Sequence, residues 1–442
     1  MRSYIIEVSL VAWMIFAIQG CDEADERVLH YVKAPKYGLN SPLAGTETRR
    51  RLNLTGDFTY NSTNPTEKPL VINPVMSQKF TTCTGNGVGL YSWNHVSWKS
   101  ANSTLLQFLM DRRDFGCGDV YVNIADFSSP EKFASVHNLV PFIRNVRATG
   151  NKGVVYMTYG DINVNANRVL DGPQRFARAF FDWFNSIDET ILPFILPIGI
   201  SFDCEHLAEP TIVSALTTAQ NLKSSVLGSK LNNDPSKLII QWTIEGARSP
   251  ANTDAIMRLA DSAVVMVYRN HEGPSVNIDP RGVDTLSTRF LNYMMKEQCE
   301  RCLDDAYASA HYKAKIKLMI ESDCECRDNC RKTSFCAFDT TQPGWGEGLS
   351  SPVEYLTNTL HKTKGILQRS LTTDQQVRLF GQKLATNPAD LSIFVVHNWE
   401  WFNCYFGEHA AMNGEDWDPE EAGHFVNCKD YHTLANVCRN GR

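Results

Sequence analysis

The sequence predicts an α/β protein built as a (β/α)₈ barrel, and three observations support this fold class. The chain has 442 residues and is 43% hydrophobic, which is enough apolar material for a large core. From Gly87 onward, short runs rich in valine, isoleucine and aromatic residues alternate with amphipathic stretches of helical length, as in a parallel sheet. There are eight such runs, and eight strands interleaved with helices close into a TIM barrel.

The elements are predicted in chain order. The eight predicted strands are Val88–Trp93, Asp119–Asp126, Gly153–Tyr159, Ile198–Asp203, Leu238–Glu245, Ala263–Tyr268, Ile316–Glu321 and Leu391–His397. The predicted helices are Thr104–Arg113, Glu131–Ala148, Gln174–Asn185, Pro210–Val226, Asn252–Ala260, Thr285–Glu297, Pro352–Gln368 and Thr373–Ala385. No G-x-G-x-x-G follows a strand and no G-x-S-x-G occurs, so neither a dinucleotide fold nor a serine hydrolase is indicated.

The two ends of the chain differ in composition from the barrel at residues 81–403. Residues 1–20 have the outline of a signal peptide, whose apolar run is shorter than the roughly 20 residues that a membrane-spanning helix needs. An uncleaved anchor is the alternative. Residues 21–80 are predicted to be a polar extension or propeptide. Residues 404–442 form a cysteine-containing tail that we expect to pack on the barrel.

Cysteines and sequons predict export. The chain has 13 cysteines, nine of them from Cys299 onward, and N-x-[ST] sequons at Asn53, Asn61 and Asn102. We expect a glycoprotein that is secreted or extracellular, including at the cell surface, with disulfides pinning the C-terminal loops. Cys324-x-Cys326-x₃-Cys330 permits a zinc site, but disulfides are favoured in that compartment, so we predict no metal and no cofactor.

Charge limits the partners that the chain can have. Its net charge of −6 and pI near 6.0 provide no basic field for phosphate backbones. We therefore predict no nucleic-acid partner. The shortness of the N-terminal apolar run predicts no membrane span in the mature chain.

Polar residues at the C-terminal ends of barrel strands are the usual catalytic positions, because packing does not require charge there. On the fourth strand, alternation puts Ser201, Asp203 and Glu205 on one face with Gly199, and this face is predicted to point into the barrel. Two adjacent inward carboxylates would repel, so one would hold its proton more tightly and serve as a general acid. The alternative is that both cap the following helix or pair with an arginine.

Other strands end in further candidates. Tyr268 could hydrogen-bond a reacting group, and Glu321 could act as a nucleophile. The remaining candidates for substrate binding are Trp93, Asp126, Glu245, Arg269, Asp323, His397 and Trp399. Each also has a structural alternative, such as a core tyrosine, an ion pair with Arg269 or a packed tryptophan.

The fourth-strand segment from Gly199 to Glu205 resembles the end of the DGxDxDxE motif of glycoside hydrolase family 18, the chitinases and related enzymes. Met266-Val267-Tyr268 resembles that family's sixth-strand M-x-Y, and Trp399 its eighth-strand tryptophan. The resemblance implies that Glu205 is the general acid, Asp203 its partner, and Tyr268 the group that positions the acetamido oxygen acting as internal nucleophile. Ile198 and Ser201 stand where the motif has aspartates.

Two further resemblances concern the same positions. The order of the motifs is similar to a group of largely uncharacterised glycosidase-like barrels that carry G-I-x-x-D-x-E and M-x-Y-R, over roughly residues 87–402. Retaining glycosidases with an acid/base on strand four and a nucleophile on strand seven give Glu205 and Glu321 these roles, with carboxyl groups about 5 to 5.5 Å apart. Cys204 stands where those enzymes have an asparagine.

The sequence therefore predicts a secreted glycosidase that hydrolyses O-glycosidic bonds in a polysaccharide or glycoconjugate, with Glu205 as general acid and Asp203 as its partner. The alternative is a catalytically inactive carbohydrate-binding barrel, a lectin or a surface antigen. Both hypotheses have a carbohydrate ligand.

Overall fold

The computed structural model describes the residues that build the barrel. These are residues 87–92, 105, 109, 117–126, 136–161, 171–204, 207–244, 249–267, 290, 291, 295, 298–321, 352–384 and 390–397. The parallel strands pair in chain order, and β1 (Gly89–Ser92) pairs with both β2 (Val120–Asp126) and β8 (Phe394–His397). The sheet is a closed eight-stranded barrel, so the predicted fold class is confirmed.

Every predicted strand overlaps an observed one. The strands between β2 and β8 are β3 (Val155–Asp161), β4 (Ile198–Cys204), β5 (Leu238–Ile244), β6 (Ser262–Met266) and β7 (Lys315–Glu321). The largest difference is at β8, which begins at Phe394 rather than Leu391. Asp390 accepts hydrogen bonds from the backbone N–H and the hydroxyl of Ser392, and these contacts hold a turn before the strand.

The helices follow the strands as a (β/α)₈ fold requires. The described α-helices are α1 (Val136–Ala148), α2 (Gly172–Ser186), α3 (Glu209–Lys230), α4 (Pro250–Leu259), α5 (Asp305–His311), α6 (Pro352–Ser370) and α7 (Thr373–Phe380). Short 3₁₀ helices lie at Leu192–Phe194, Pro235–Lys237 and Glu300–Leu303. The helices predicted at 104–113 and 285–297 lie mostly outside the described residues.

Helix α5 was not predicted from the sequence. Its N-cap is Asp304, whose carboxylate accepts hydrogen bonds at 3.1 Å from the backbone N–H groups of Ala306 and Tyr307. An aspartate in this position satisfies N–H groups that the first helical turn leaves without partners. The capping signal was therefore present, but only seven residues follow it.

Each strand has one face in the apolar core beneath the helices and one face in the barrel interior. Strand β4 shows which side chains occupy each face. Phe202 belongs to the apolar layer beneath the helices, where its ring meets Phe176 of α2 at 6.0 Å and Trp242 of β5 at 5.0 Å. The alternate residues Ser201 and Asp203 are fully buried inside the barrel. Because the large apolar side chains of β4 pack outward, its small and polar side chains fill the interior, as the alternation predicted.

A β-bulge in β2 changes the register near its C-terminal end. Asn123 is paired with Thr158 of β3, but the next register pair is Ala125 with Tyr159, so one residue of β2 is inserted. Asp126 is thereby brought into register with Gly160, the residue that pairs with Asp203 on the next strand. Bulges of this kind re-aim strand ends next to active sites.

Arg147 at the end of α1 binds the N-terminal ends of β3 and β4. Its guanidinium donates to the carbonyls of Gly153 at 2.6 Å and Ile195 at 3.3 Å, and also to the carbonyl of Pro197. Burial lowers the pKa of Arg147 to about 10, although the charge of Asp119 opposes this shift. A charged side chain held by several carbonyls fixes the entry of both strands into the barrel.

Two cysteine contacts are described. Cys299 and Cys302 form a disulfide at the start of the 3₁₀ helix before α5, and Cys117 is also disulfide-bonded. The predicted loop and tail cysteines after residue 321, like the predicted signal peptide and polar extension, lie outside the described residues. Among the helices that the structure describes, none combines the length and the apolar character that crossing a membrane requires.

Candidate functional site

The structure describes some of the predicted site residues, and these lie at the C-terminal ends of their strands. Asp203 and His397 are described with their side chains, whereas Asp126 and Glu321 are described as strand positions only. Glu321 is in register with His397. The predicted residues that lie outside the described ranges are Trp93, Glu205, Glu245, Tyr268, Arg269, Asp323 and Trp399.

Asp203 is the carboxylate around which the described part of the site is built. It is fully buried on the inward face of β4, and the Tyr91 hydroxyl of β1 donates to its Oδ2 at 3.3 Å. Tyr91 is itself fully buried. A carboxylate inside a barrel is costly unless hydrogen-bonded, so this contact across the barrel both stabilises and orients Asp203.

Tyr91 is a functional candidate that was not predicted from the sequence. The alternation of β1 puts it on the same face as Gly89, but a buried tyrosine is also an ordinary core residue. Its contact with Asp203 joins residues 112 positions apart. The available signal was the inward position alone, and it did not distinguish a hydroxyl beside a carboxylate from one that only fills space.

Tyr91 belongs to a stack of three tyrosines that crosses the barrel interior. Tyr91, Tyr121 and Tyr156 are in register on β1, β2 and β3, with ring centroids 5.4 Å and 4.7 Å apart. The next position in the same register is Gly199 of β4, where a Cβ would lie 2.8 Å from the Tyr156 ring and 2.4 Å from the Ile239 carbonyl. Glycine at this position therefore makes room for the stack.

The other described side chains near Asp203 come from β8 and β6. The His397 ring lies 5.3 Å from the Tyr91 ring at an interplanar angle of 52°, and His397 is 8% exposed. Met266 at the end of β6 is 7% exposed and packs in the same interior cluster as Tyr91. In a barrel, side chains from alternate strands form one layer, and Asp203, Met266 and His397 come from the even-numbered strands.

Beneath this layer, Gln241 of β5 connects the interior by neutral hydrogen bonds. Its side-chain oxygen accepts from the Ser201 hydroxyl at 3.1 Å, and its amide donates to the hydroxyls of Tyr121 and Ser262, each at 3.1 Å. Ser201 stands where the chitinase motif has an aspartate. The structure thus fills that position with a neutral, hydrogen-bonded pair. Gln241 was not among the residues predicted from the sequence.

The hydroxyls of Tyr121 and Tyr156 stay protonated over the physiological range of pH. Burial raises the pKa of Tyr121 well above its usual value, and the negative charge of Asp119 raises it further. Burial and the same charge raise the pKa of Tyr156. Both hydroxyls therefore stay neutral, and no negative charge arises from them beneath Asp203.

The described side chains do not suggest a metal centre. Within the ranges that the structure describes, no three histidine, cysteine, aspartate or glutamate residues are grouped as metal ligands would be. His206, a further potential ligand three residues after Asp203 in the chain, lies outside those ranges.

Comparisons with solved structures give distant likenesses. A xylanase and α-amylase inhibitor protein solved with trehalose is similar over 73% of this chain and 96% of its own, with 11% identity and a TM-score of 0.41. A chitinase-like agglutinin from Robinia pseudoacacia is similar over 70% of this chain and 93% of its own, with 11% identity and a TM-score of 0.34. A chitinase from Chromobacterium violaceum is similar over 53% of this chain and 68% of its own, with 14% identity and a TM-score of 0.30.

Two of these neighbours are thus a chitinase and a chitinase-like agglutinin. No protein-family model and no curated protein matches the chain. With TM-scores of 0.41 or less, the likenesses assign neither an activity nor a ligand. The barrel itself is established by the strand pairing of this chain.

Proposed function

We propose that the protein is a glycosidase that hydrolyses O-glycosidic bonds in a polysaccharide or glycoconjugate. Glu205 donates a proton to the leaving oxygen, and Asp203 is its partner. The observation that carries this proposal is the fully buried carboxylate of Asp203 at the C-terminal end of β4, held by the Tyr91 hydroxyl at 3.3 Å. Charge at such a position is not needed for packing and is typical of catalysis in this fold.

The position of Glu205 in the chain supports its role. Strand β4 ends at Cys204, so Glu205 follows the strand directly, two residues after Asp203. A partner carboxylate that is fixed by a hydrogen bond can hold a neighbouring acid in place and keep its proton on it by charge repulsion. Tyr268 would position the acetamido oxygen of an N-acetylated sugar. In the alternative retaining mechanism, Glu321 at the end of β7 is the nucleophile.

A carbohydrate-binding protein without catalysis is the second candidate, and one observation favours it. Ser201 occupies a position that carries an aspartate in the chitinase motif, and its hydroxyl is bonded to the neutral Gln241. One carboxylate of the motif is therefore replaced by a neutral contact. A lectin would retain the cleft and the sugar-binding side chains, including His397 and Trp399, without a need for proton transfer.

Export is part of the proposal. The Cys299–Cys302 disulfide supports an oxidising compartment, in which residues 1–20 are removed as a signal peptide. Purifying the protein from the culture medium of a secreting host and sequencing its N-terminus tests this directly. An N-terminus near Cys21 is expected, and a protein that retains residue 1 inside the cell contradicts it.

Hydrolysis by the purified exported protein tests the proposed activity. A panel that includes chitooligosaccharides and β-glucans would be compared for the wild-type protein, Glu205→Gln and the exposed control Glu300→Gln. Loss of the general acid is expected to lower kcat by about 10²- to 10⁴-fold, whereas the control keeps full activity. Glycan binding without cleavage by any of the three proteins would favour the lectin. Cleavage that is unchanged in Glu205→Gln would contradict the assignment of the acid.

A further inference from the structure

Two threonines under Asp203 have buried hydroxyls that the barrel does not use. Thr158 of β3 is 0% exposed and Thr243 of β5 is 1% exposed. Each shares the inward face of its strand with an interior residue, Tyr156 on β3 and Gln241 on β5. Neither threonine hydroxyl has a hydrogen-bond partner among the residues that the structure describes.

The register shows where these hydroxyls lie. Thr158 and Gln241 are both in register with Ser201 of β4, from its two sides, and Thr243 is the next inward residue after Gln241. The strands of a closed eight-stranded barrel are tilted. Two residues that are paired in register on adjacent strands therefore differ in height along the barrel axis by about one residue. Thr158 and Thr243 therefore flank β4 at the height between Ser201 and Asp203.

These residues outline a small polar compartment, with Ser201 below, Asp203 above, and a threonine on each side. The hydroxyl of Ser201 is already committed to Gln241 at 3.1 Å. Asn123 of β2 is in register with Thr158, and its Oδ1 is also buried and has no partner within the described ranges. Three oxygens from three strands, two beneath the carboxylate and that of Asn123 beside it, thus remain to be satisfied.

Such oxygens indicate a ligand because burying them unsatisfied is unfavourable. Valine has nearly the shape of threonine, so a barrel that only needed packing would lose nothing by having valine at these positions. The ligand must be small, because both threonines are fully enclosed. It must also bond to at least two oxygens at once, which a single water molecule does.

We propose that Thr158 and Thr243 hold an internal water molecule directly beneath Asp203, with Asn123 as a further partner. A water bonded to both hydroxyls keeps hydrogen-bonding capacity for the carboxylate above it. The water and the Tyr91 hydroxyl then hold Asp203 from two sides, and the threonines are positioning residues for it. This inference does not depend on catalysis, since a lectin would need the same carboxylate to be fixed.

A crystal structure of the exported protein at a resolution that shows ordered water tests the site. We expect a water within about 2.7–3.2 Å of both threonine oxygens. Apolar side chains in van der Waals contact with the hydroxyls, with no density between them, would overturn the proposal. This test uses the wild-type protein and does not depend on whether a variant folds.

Variants give a second measurement, which counts long-lived internal waters by oxygen-17 relaxation dispersion. Thr158→Val and Thr243→Val are each expected to lose one such water, and Thr158→Ser is expected to keep it. The matched control is Thr253→Val on α4, where the hydroxyl is likewise buried, at 2% exposed, and has no partner in the described part of the chain. The control should leave the count unchanged. Equal counts in the wild-type protein and both barrel variants would contradict the proposal.

Thermal unfolding separates a hydrated hydroxyl from a dry one. Replacing a dry, unsatisfied hydroxyl by a methyl group raises Tm, whereas removing a partner of a bound water lowers it. We therefore expect Thr158→Val and Thr243→Val to lower Tm and Thr253→Val not to lower it. A rise in Tm for both barrel variants would overturn the proposal, whatever activity the protein has.

Discussion

At the N-terminal end of the barrel interior, Asp119 and Lys317 form an ion pair, and Asp119 also accepts from the Val154 backbone N–H at 2.9 Å. At the C-terminal end, Asp203 has a tyrosine hydroxyl at 3.3 Å, and the two threonine hydroxyls beneath it have no partner within the described ranges. A carboxylate is thus neutralised by a cation at one end and held by a neutral donor at the other. The first arrangement supports the fold, and the second places a carboxylate at the strand ends where catalytic residues of this fold lie.

The layers between the two ends are consistent with this division. Gln241 satisfies Ser201, Tyr121 and Ser262, and the Ser262 hydroxyl donates to the Lys315 carbonyl at 3.0 Å. The described hydrogen bonds around Gln241 are therefore complete, whereas the hydroxyls of Thr158 and Thr243, nearer the C-terminal end, have no hydrogen-bond partner in the part of the chain that the structure describes. The buried hydroxyls without partners therefore lie toward the C-terminal ends of the strands. The strand-end carboxylates lie at the same end, which we infer to be the functional end of the barrel.

The largest effect on stability is expected from breaking the ion pair between Asp119 and Lys317. Lys317→Met leaves the charge of Asp119, which is 7% exposed, without its cation. We expect a loss of roughly 3 kcal/mol in the free energy of unfolding, at the lower end for a buried pair because the Lys317 side chain is 23% exposed. Urea unfolding of the two proteins measures it.

Lys313→Met is the matched control for this variant. The Lys313 side chain is 45% exposed, and its partner Asp261 keeps Lys223 at 2.9 Å. Its loss should therefore cost less than about 1 kcal/mol. If the two lysine variants unfold at the same urea concentration, the lower ion pair does not support the barrel as described.

Filling the space at Gly199 is the next largest change. A methyl group in Gly199→Ala would meet the Tyr156 ring at 2.8 Å and the Ile239 carbonyl at 2.4 Å, so the tyrosine stack must shift. We expect a destabilisation of about 2 kcal/mol, measured by urea unfolding. Gly228→Ala in α3 is the control, since its nearest contact is at 3.6 Å and alanine favours a helix by about 0.5–1 kcal/mol. A Gly199→Ala protein as stable as this control would contradict the packing.

Removing the Tyr91 hydroxyl tests the upper end. Tyr91→Phe deletes the donor to Asp203, and a hydrogen bond to a charged group contributes about 1.5–3 kcal/mol, or roughly ten- to a hundredfold in kcat/KM. In a binding protein, the same loss would appear in the Kd for the glycan. Tyr121→Phe is the control within the same stack. It should lower stability by about 1 kcal/mol and leave the glycan kinetics unchanged. Equal kinetics for both variants would show that the Tyr91 hydrogen bond does not contribute to glycan turnover or binding.

The smallest effect concerns acid stability outside the barrel interior. Burial raises the pKa of Asp261, but the charge and hydrogen bond of Lys223 and the charge of Lys313 outweigh it, and the pKa lies below 3.8. A lowered carboxyl pKa in the folded protein adds stability above pH 3.8, and this stability is lost as the pH falls toward the folded-state pKa. The stability of Asp261→Asn should therefore fall less steeply below about pH 5. Parallel curves for the two proteins would contradict this.

The fold was predictable because its signal is local. Each buried parallel strand appears in the sequence as a short apolar run, and the alternation on β4 correctly put Ser201 and Asp203 on the inward face. The contacts that define the two ends are not local. Tyr91 and Asp203 are 112 positions apart, Tyr121 and Gln241 120, and Asp119 and Lys317 198. No periodicity or motif connects such residues, so Tyr91, Gln241 and the threonines emerged only from the closed barrel.

The most direct test of the division between the two ends compares Asp119→Asn with Asp203→Asn. Both changes remove one charge from a buried carboxylate and preserve its shape. Urea unfolding and glycan turnover, or the glycan Kd if there is no turnover, would be measured on each protein. We predict that Asp119→Asn loses stability and keeps its glycan function per folded molecule, whereas Asp203→Asn loses glycan function and little stability. An Asp203→Asn protein that is as destabilised as Asp119→Asn and handles glycans normally would contradict the account.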